Sequence, residues 1–460
     1  MQTEYTLLHP AQTLADASAT LLKRPLETPD QFRAFYSEKY GRARGIDRFA
    51  HLRVELTRCY SGAPFHGFVM GHPGVGKSTE ISRLFFRVEE RFQAIRLSAA
   101  EEIYPGDFRL QDLLWLMIVR MIDATDSPTV IGFSGKLSAS LLENVRHELS
   151  QRGIETLGLR AGELEAGLGL PLLAKIRFNL KLQRTEKREE YALPELADLV
   201  FLVNRVFDEC NKVLRQEKDR EWILVVEDLE KHGIATDSLR RLFVDNSSLF
   251  ERLTCHLLFV IPVGLAYSDD AERMPFGRER QFVVPDIAVY RPNHEPDENG
   301  IQALLDVIDR RIDGSLLEKP VARSLAIASG GNIRDLFDLL HRASLAAEVR
   351  EALRIERQDA LEAIQALRGV YKQQLGETFF DAKNSVTIQD KLAKLAAIHR
   401  GDKTAQIADR VLYLLLRHRM VLQFNGEGWF GVHPLVVDIL GEQGGAYVNP
   451  GEGGGTDIRD

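Results

Sequence analysis

One octapeptide constrains the fold of this chain more than any other feature. It reads Gly-His-Pro-Gly-Val-Gly-Lys-Ser at residues 71–78, and the apolar run Phe65–Met70 stands directly before it. Phosphate binding needs glycines where the backbone must come close to the oxygens, a lysine that reaches the outer phosphates and a hydroxyl for magnesium. Apolar residues then recur at helical spacing over residues 81–88. The pattern predicts a strand, a phosphate-binding loop and a helix, and a plain glycine turn would leave Lys77 and Ser78 unexplained.

Residues 71–78, called the phosphate loop below, supply most of the predicted nucleotide site. The predicted contacts to the nucleotide are Gly71, Gly74, Val75, Gly76, Lys77, Ser78 and Thr79. Lys77 would act on the phosphates as a catalytic cation, and the Ser78 hydroxyl would bind magnesium. We therefore expect Mg²⁺ and a nucleotide as cofactors. No Asn-Lys-x-Asp motif of the kind that reads guanine stands out in the sequence.

Two adjacent carboxylates are the predicted partner of the phosphate loop. The apolar run Ile223–Val226 predicts a buried strand, and Glu227 and Asp228 follow at its carboxyl end, where ligands bind in open α/β sheets. The common order is Asp then Glu, with Asp on magnesium and Glu on the attacking water. Here the order is reversed. The register places Glu227 on the metal side and Asp228 on the water side, but the swap leaves the two roles open, and a solvated acidic turn is the alternative.

The other apolar runs predict an α/β fold. Ala94–Ser98 and His256–Ile261 have the pattern of further strands, and the stripe over Leu196–Leu214 has that of an amphipathic helix. Strands that alternate with helices favour a parallel sheet covered by helices on both faces. The Thr-Pro-Asp-Gln sequence at residues 28–31 predicts a capped helix over Pro29–Lys39.

The last third of the chain changes to helical patterns and then to a hairpin. Helical spacing over residues 301–345 predicts a lid, and a helix at Ala405–His418 precedes strands at Met420–Phe424 and Trp429–Val432. The Asn-Gly pair between those strands favours a tight hairpin, and helices followed by a hairpin are the outline of a winged helix. The expected parts are an N-terminal extension 1–28, a core 29–295 with a helical insert at about 124–194, a helical lid 296–370, a winged helix 375–442 and a disordered glycine-rich tail 443–460.

Arginines supply the remaining candidates for contact with a nucleotide. Arg334 stands at the start of a predicted lid helix, where it could touch the γ-phosphate and couple the lid angle to the nucleotide; a surface arginine is the alternative. Weaker candidates for an arginine finger offered to a neighbouring subunit are Arg273, Arg278 and Arg280.

Charge limits the classes of function. The chain has 59 Lys and Arg against 67 Asp and Glu, a formal net charge of -8, so it is not a polybasic coat for nucleic acid. The predicted winged helix is also mixed in sign, which gives little electrostatic reason for DNA binding. Its basic residues are Lys391, Lys394, Arg400, Lys403, Arg410, Arg417 and Arg419, and its acidic ones are Asp390, Asp402, Asp409, Glu427, Asp438 and Glu442.

Hydropathy and cysteine spacing favour a cytoplasmic protein without membrane contact. The apolar run Leu257–Tyr267 falls short of the ~20 residues that a membrane span needs, and Met1–Leu8 does not read as a signal peptide. The three cysteines, Cys59, Cys210 and Cys255, form no CxxC pair, so we expect reduced core thiols.

Four motifs together resemble the bacterial AAA+/STAND-like P-loop ATPases, a branch that includes replication initiators. They are Gly71–Glu80, Glu227–Lys231, Gly330–Arg334 and Trp429–Pro434. The resemblance implies an α/β P-loop NTPase core, a helical lid, a C-terminal winged helix and ATP with Mg²⁺ as cofactors. By position it implies that Lys77 contacts phosphates, Ser78 binds magnesium, Glu227 and Asp228 form the Walker B pair, and Arg334 is sensor 2.

Two departures from this family concern hydrolysis. The acidic pair is inverted, and the strand that should carry the sensor 1 residue runs through Phe259–Val263 with no polar residue. Ser268 is the nearest substitute. With the long insert, these departures predict hydrolysis that is slow or dependent on a partner.

Three functions fit these features. The first is an ATP-driven conformational switch that regulates a partner or effector protein, in line with relatives in bacterial conflict and antiphage systems. The alternative is a DNA-binding AAA+ initiator or loader that uses its winged helix. A third is a nucleotide-binding scaffold that does not turn over. We expect at least transient assembly into a homo-oligomer, while the sequence leaves the trigger and the subunit number open.

Overall fold

The three-dimensional structure is a computed structural model of the chain. It describes residues 5–59, 63–104, 108–126, 137–150, 175–177, 179–180, 191–229, 236–268, 270–378, 381–382, 385–424 and 429–443. Within these ranges no helix is both long enough and apolar enough to span a membrane.

A five-stranded parallel sheet forms the centre of the fold. Its strands are β1 (His66–Gly71), β2 (Phe92–Ser98), β3 (Glu221–Glu227), β4 (His256–Pro262) and β5 (Gln281–Val283). Their order across the sheet is β2-β3-β4-β1-β5, and neighbouring strands run parallel. The four predicted strands are confirmed with small shifts at their ends. The sequence did not predict β5, because three residues are too few to show a pattern.

Helices cover both faces of the sheet, as predicted. Side chains alternate between the faces along a strand, and in β3 the residues between its ends are apolar on both sides. On one face they pack with helices Leu110–Asp126 and Leu193–Lys218. On the other face they pack with helices Arg48–Arg58 and Lys77–Val88. The predicted stripe of residues 196–214 is buried along helix Leu193–Lys218.

Shorter helices complete this part of the chain. They are Ala17–Thr20, Pro29–Phe35, Glu38–Ala43, Ala99–Glu102, Ala139–Glu148, Thr236–Arg240 and Ser247–Phe250. The three cysteines are buried and free, in agreement with the prediction.

Four helices after the sheet correspond to the predicted lid and are called the lid below. They are Glu298–Asp309, Lys319–Ala328, Ile333–Val349 and Arg357–Leu375. Their apolar faces share one core with Leu14, Ala17 and Leu21 of the N-terminal segment. Backbone pairing of Ala11 with Ile312 fixes that segment along the lid. The predicted N-terminal extension is thus a packed part of the fold from Ala11 onward.

The C-terminal unit comprises residues 385–424 and 429–443. It contains helix Ile388–His399, the 3₁₀ turn Lys403–Gln406, helix Arg410–Arg417, the antiparallel strands β6 (Val421–Phe424) and β7 (Trp429–Val432), and helix Pro434–Gln443. Helices followed by a hairpin are the order that the sequence predicts for a winged helix. The apolar core of this unit is continuous with that of the lid.

Two helix predictions are wrong in their extent. The predicted helix Pro29–Lys39 ends at Phe35, although Thr28 and Gln31 form the expected capping box. Tyr36 adopts an extended backbone, and Ser37 then caps a new helix.

The helix predicted over Ala405–His418 is also interrupted. It begins at Arg410, because Asp409 is extended and its carboxylate accepts a hydrogen bond from Leu412 N at 2.7 Å. Other predictions fall outside the described residues: the motif residues Glu230 and Lys231, the Asn425-Gly426 turn, most of the insert, and the tail beyond Gln443.

Candidate nucleotide site

The phosphate loop connects β1 to helix Lys77–Val88, as the octapeptide predicts. Gly74 and Gly76 have φ values of 90° and 94°, in the left-handed region that favours glycine. Gly76 is the residue before the first turn of a 12-residue helix. The free amides of that turn and the positive end of the helix dipole make this position suitable for an anion.

Lys77 lies inside the phosphate loop. Its side chain is buried, and Nζ donates hydrogen bonds to the carbonyl oxygens of Gly71 and His72, each at 2.9 Å. These carbonyls hold the ammonium group next to the backbone amides that would receive phosphate oxygens. A bound phosphate would compete with the two carbonyls for this cation.

Arg44 covers the other end of the loop and was not predicted. It lies just after helix Glu38–Ala43, it is buried, and Nη2 donates to the carbonyl oxygen of Val75. Nη1 donates to Glu80 Oε1 at 3.0 Å, so the guanidinium has a charged partner on the phosphate-loop helix. A Cβ atom at Gly76 would lie 2.8 Å from Arg44 Nη2, so a second cation stands against the loop.

An open cleft lies beside Arg44 and Glu80. It contains about 850 Å³ of empty space, and its walls come from the N-terminal helices, the phosphate-loop helix and the segment after β5. Ile46, Phe49 and Pro285 supply apolar surface to it, while Tyr36 and Arg83 supply polar groups. Burial raises the pKa of the Tyr36 hydroxyl well above its ordinary range, and Glu80, which accepts its hydrogen bond, adds to the shift.

The predicted acidic pair lies at the carboxyl end of β3, but its two side chains have different partners. Glu227 is buried, and Arg96 on β2 donates to its Oε2 from Nε at 2.7 Å. Asp228 has a φ of 66° and turns away from the strand direction, where the Ser98 hydroxyl donates to its carboxylate. Arg96 also donates to Ser82 Oγ on the phosphate-loop helix at 2.8 Å, so Glu227 faces that helix.

Among the predicted magnesium ligands, Glu227 has an oxygen that suits a cation. Glu227 Oε1 is buried and has no hydrogen-bond partner among the described residues, so it is an oxygen ready to accept a cation or water. No group of three or more His, Cys, Asp or Glu side chains forms a metal cluster within the described ranges. Mg²⁺ is usually held by one or two carboxylates together with phosphates and water, which is the donor set that Glu227, Asp228 and Ser78 would provide.

The lid contacts the phosphate loop directly through the start of helix Ile333–Val349. Asn332 caps that helix and donates from Nδ2 to the Pro73 carbonyl oxygen at 3.1 Å. A Cβ atom at Gly74 would lie 2.4 Å from Arg334 Cβ and equally close to Asn332 Oδ1. Arg334 therefore lies beside the loop, and its predicted contact with the γ-phosphate stays a prediction.

Asp286, in the segment that follows β5, is a further residue that the sequence did not single out. It is fully buried and accepts hydrogen bonds from His72 Nδ1 at 2.6 Å and Asn332 Nδ2 at 3.0 Å. Burial alone would raise the pKa of this carboxyl, but the His72 ring and the Asn332 amide hold it below its ordinary value. A polar residue directly after the apolar run Phe282–Pro285 is the only sequence signal that could have indicated it.

The candidates for an arginine finger and for sensor 1 form ion pairs or hydrogen bonds with other residues of the chain. Arg273 pairs with Asp270 at 3.2 Å, Arg278 with Glu272 at 3.1 Å and Arg280 with Glu55 at 3.1 Å. The Ser268 hydroxyl donates to the Leu265 carbonyl oxygen at 3.0 Å. Their proposed roles, the arginine finger and the sensor 1 substitute, remain predictions.

No protein-family model matches the chain, and no curated protein matches it in sequence. Among solved structures, a Walker-type ATPase of Pyrococcus abyssi is similar with a TM-score of 0.42 and 12% identity, over 92% of this chain and 99% of that one. The ORC2 protein of Aeropyrum pernix, in its ADPNP-ADP complexes, has a TM-score of 0.41 and 13% identity, over 89% and 99%. Cdc6p from Pyrobaculum aerophilum has a TM-score of 0.36 and 13% identity, over 86% and 93%.

These overall similarities are low, and the fold assignment stands on the chain's own strands, loop and helices. A parallel sheet with helices on both faces, a glycine loop between β1 and a helix, and a helical lid against that loop define the α/β fold of a P-loop NTPase.

Proposed function

We propose that this chain is a Mg²⁺-dependent ATPase of the AAA+/STAND-like type that acts as an ATP-driven conformational switch and regulates a partner or effector protein. The observation that carries the proposal is the position of the C-terminal unit, which packs against the core next to the phosphate loop. Binding or hydrolysis of a nucleotide in the phosphate loop would alter the contacts that hold a unit docked there. Release of the unit would expose the surface that these contacts cover.

Helix Arg410–Arg417 makes the first part of this contact. It packs on the 3₁₀ turn Val263–Tyr267 at the carboxyl end of β4, and a Cβ atom at Gly264 would lie 2.9 Å from the Tyr413 ring. A small cavity of about 30 Å³ lies between the two parts, bounded by His72 of the phosphate loop and by Arg417. In a winged helix this helix is the one expected to read DNA.

The hairpin makes the second part of the contact. Asp286 N donates to the Gln423 carbonyl oxygen at 2.8 Å, and Asp286 and Phe424 form a parallel backbone bridge. Arg419, just before β6, pairs with Asp335 of the lid at 2.7 Å. In this conformation the helix and the hairpin both contact other parts of the same chain.

The site residues have these roles in the proposed reaction. Lys77 and the loop amides hold the phosphates, Arg334 contacts the γ-phosphate from the lid, and the cleft beside Arg44 receives the rest of the nucleotide. Glu227 and Ser78 would hold Mg²⁺, which supplies charge neutralisation of the phosphates, and Asp228 orients water. ATP closes the lid on the core and releases the C-terminal unit, and hydrolysis restores docking.

Phosphate release by the wild type and by Lys77→Ala, each with and without duplex DNA, tests this proposal. Turnover that depends on Lys77 and ignores DNA favours a switch controlled by a protein. ATP binding without phosphate release, also in the presence of partner proteins, would favour the non-hydrolysing scaffold instead.

The second candidate is the DNA-binding initiator or loader. Three basic residues of the C-terminal unit, Arg400, Lys403 and Arg410, are exposed and remain available for phosphate contacts. Arg419 is not, because it is bound to Asp335. Turnover that rises with DNA, together with salt-sensitive DNA binding that is lost on changing Arg400, Lys403 and Arg410, would make this candidate the leading one. Absence of binding at low salt would count against it.

The proposed partners and cellular location follow from the switch hypothesis. A switch needs an effector protein, we infer a homo-oligomer at least transiently, and bacterial conflict or antiphage systems are the proposed setting. The proposed location is the cytoplasm. Size-exclusion chromatography with light scattering, with and without ATP, would measure the assembly.

A further inference from the structure

A buried polar cluster joins the phosphate loop, the lid and the C-terminal unit. We call it the junction cluster, and it consists of His72, Asp286, Asn332, Asp335 and Arg419. Asp286 contacts all three parts, because its carboxylate accepts from His72 Nδ1 at 2.6 Å and Asn332 Nδ2 at 3.0 Å, and its backbone N donates to Gln423 at 2.8 Å. It has no solvent exposure.

The phosphate loop enters this cluster through two consecutive residues. His72 contributes its ring to Asp286, and its carbonyl oxygen accepts from Lys77 Nζ at 2.9 Å. Pro73 contributes its carbonyl oxygen, which accepts from Asn332 Nδ2 at 3.1 Å. Bound phosphates would attract Lys77 away from the His72 carbonyl oxygen, and residues 72 and 73 would then lose a hydrogen bond that holds them in place. A shift of these two residues would alter the His72 contact with Asp286 and the Pro73 contact with Asn332.

The C-terminal unit enters the cluster through Arg419. Its Nη1 donates to Asp335 Oδ1 at 2.7 Å and lies 3.4 Å from Asn332 Oδ1. Asp335 also accepts from the Tyr371 hydroxyl at 2.7 Å, so its carboxylate has partners on both sides. Arg419 has a φ of 59°, so a left-handed residue places this cation at the start of the hairpin.

The buried charged groups of the junction cluster depend on each other for their hydrogen bonds. A buried carboxylate that loses a donor is left with an uncompensated charge, which is strongly unfavourable. Asp286 therefore favours the arrangement in which loop, lid and hairpin are all in place. A shift of the loop weakens one contact of this set and with it the preference for docking.

Taking the proposed switch as its basis, we infer that Asp286 is the positioning residue that makes docking of the C-terminal unit depend on the state of the phosphate loop. Asp286 does not contact the phosphates in this scheme. Its removal would release the unit without any nucleotide. Coupling free energies are reciprocal, so a chain whose unit is already released would also bind ATP more tightly.

Hydrogen exchange and nucleotide affinity of the full chain together test this inference. For the wild type, we expect a Mg²⁺ complex of ATP with an imido β–γ bridge to accelerate amide exchange of residues 410–424 by about tenfold or more. For Asp286→Asn, exchange should be fast without nucleotide and change less than about twofold with it, while the affinity for the analogue rises by about tenfold. Loss of structure alone would lower the affinity, so the gain separates coupling from damage.

Asp313→Asn is the matched control. Asp313 is an exposed lid carboxylate that accepts from Ser315 N at 2.9 Å, away from the junction cluster, and this variant should behave as the wild type. Where Asp286→Asn fails to fold cooperatively, His72→Gln removes the ring contact to Asp286 and should likewise reduce the nucleotide effect on exchange.

The outcomes separate a failure of the proposed switch from a failure of the proposed role of Asp286. A wild type whose exchange is indifferent to the analogue, although it binds it, overturns the switch and this inference with it. A wild type that responds, with Asp286→Asn or His72→Gln responding to the same extent at unchanged affinity, overturns the role of Asp286 and leaves the switch standing.

Discussion

Arg96 and Glu227 stand side by side at the carboxyl ends of β2 and β3, with Arg96 Nη2 2.6 Å from Glu227 Oε2. The same guanidinium lies 3.7 Å from Glu27 of the N-terminal segment. A cation thus neutralises one oxygen of the carboxylate that faces the phosphate-loop helix, while the other oxygen is buried without a partner among the described residues. A metal ion at Glu227 would have to compete with Arg96 for negative charge.

Replacing Arg96 with Gln should strengthen Mg²⁺ binding in the presence of nucleotide. Arg96 is partly exposed, so solvent screens its charge, and we expect an effect of ~1 kcal/mol, or about threefold to tenfold in the half-saturating Mg²⁺ concentration. The measurement is a Mg²⁺ titration of nucleotide affinity. Arg215→Gln is the control, since Arg215 pairs with Glu221 at the opposite end of β3 at 2.7 Å. Unchanged or weaker Mg²⁺ dependence in Arg96→Gln would argue that Glu227 does not bind the metal.

Replacing Lys77 with Ala should abolish nucleotide binding and any ATP-dependent signalling together. The buried ammonium is held inside the loop by the carbonyl oxygens of Gly71 and His72. Its loss should weaken ATP affinity by at least about 100-fold, as expected for a charge-assisted phosphate contact in a shielded site. Anisotropy of a fluorescent ATP analogue measures the affinity. Lys372→Ala, on an exposed face of helix Arg357–Leu375, should bind as the wild type does. ATP affinity of wild-type strength in Lys77→Ala would refute the assigned site.

Replacing Gly74 with Ala should separate the lid from the phosphate loop at a cost in stability. The added Cβ would lie 2.4 Å from Arg334 Cβ, and the residue would also have to keep a φ of 90°. We expect a loss of ~3 kcal/mol in the free energy of unfolding, from overpacking and the left-handed backbone together. Urea unfolding measures it.

Gly369→Ala is the opposite control for Gly74. Gly369 lies within helix Arg357–Leu375, and apart from the backbone of its own helix and its chain neighbours no atom lies within 4 Å of a Cβ atom built there. This change should stabilise the chain by ~1 kcal/mol, because alanine favours the helix. Equal effects at the two glycines would exclude a tight contact between loop and lid.

The sequence predicted those parts of the site that are local. The phosphate loop and the acidic pair each lie within eight consecutive residues or fewer, so their chemistry is visible as a motif. Apolar runs likewise predicted four strands of the sheet. The start of the lid helix at Asn332 was recognisable because Asn is a common capping residue and glycines precede it.

Contacts between distant residues were not predictable in this way. Arg96 and Glu227 are 131 positions apart, and His72 and Asp286 are 214 positions apart. Each is an ordinary charged or polar residue in its local sequence, and only the strand order β2-β3-β4-β1-β5 brings the partners together. The docking of the C-terminal unit was not predictable for the same reason, because an apolar helix face in the sequence does not indicate which part of the chain it packs against.

Acidification should destabilise the fold through His433, which is buried between the lid and the hairpin. Burial lowers the pKa of this ring from 6.5 to about 4, against an opposite effect of Asp335. Leu435 N donates to Nδ1 at 3.2 Å, which requires that nitrogen to be unprotonated. The unfolded chain therefore takes up a proton near pH 6.5 and the folded chain only near pH 4, so the free energy of unfolding falls as the pH is lowered between these values.

The expected loss from this one ring is ~2 kcal/mol between pH 7 and pH 5. His433→Gln removes the titrating group, so its urea unfolding curve should shift less over this interval than that of the wild type. His341→Gln, at an exposed lid position, should keep the full shift. Because His433 follows β7 and packs against Gly330 just before the capping residue Asn332, the acid-sensitive step should also loosen the C-terminal unit. Identical pH dependence in His433→Gln and the wild type would show that this ring is not held neutral by its burial.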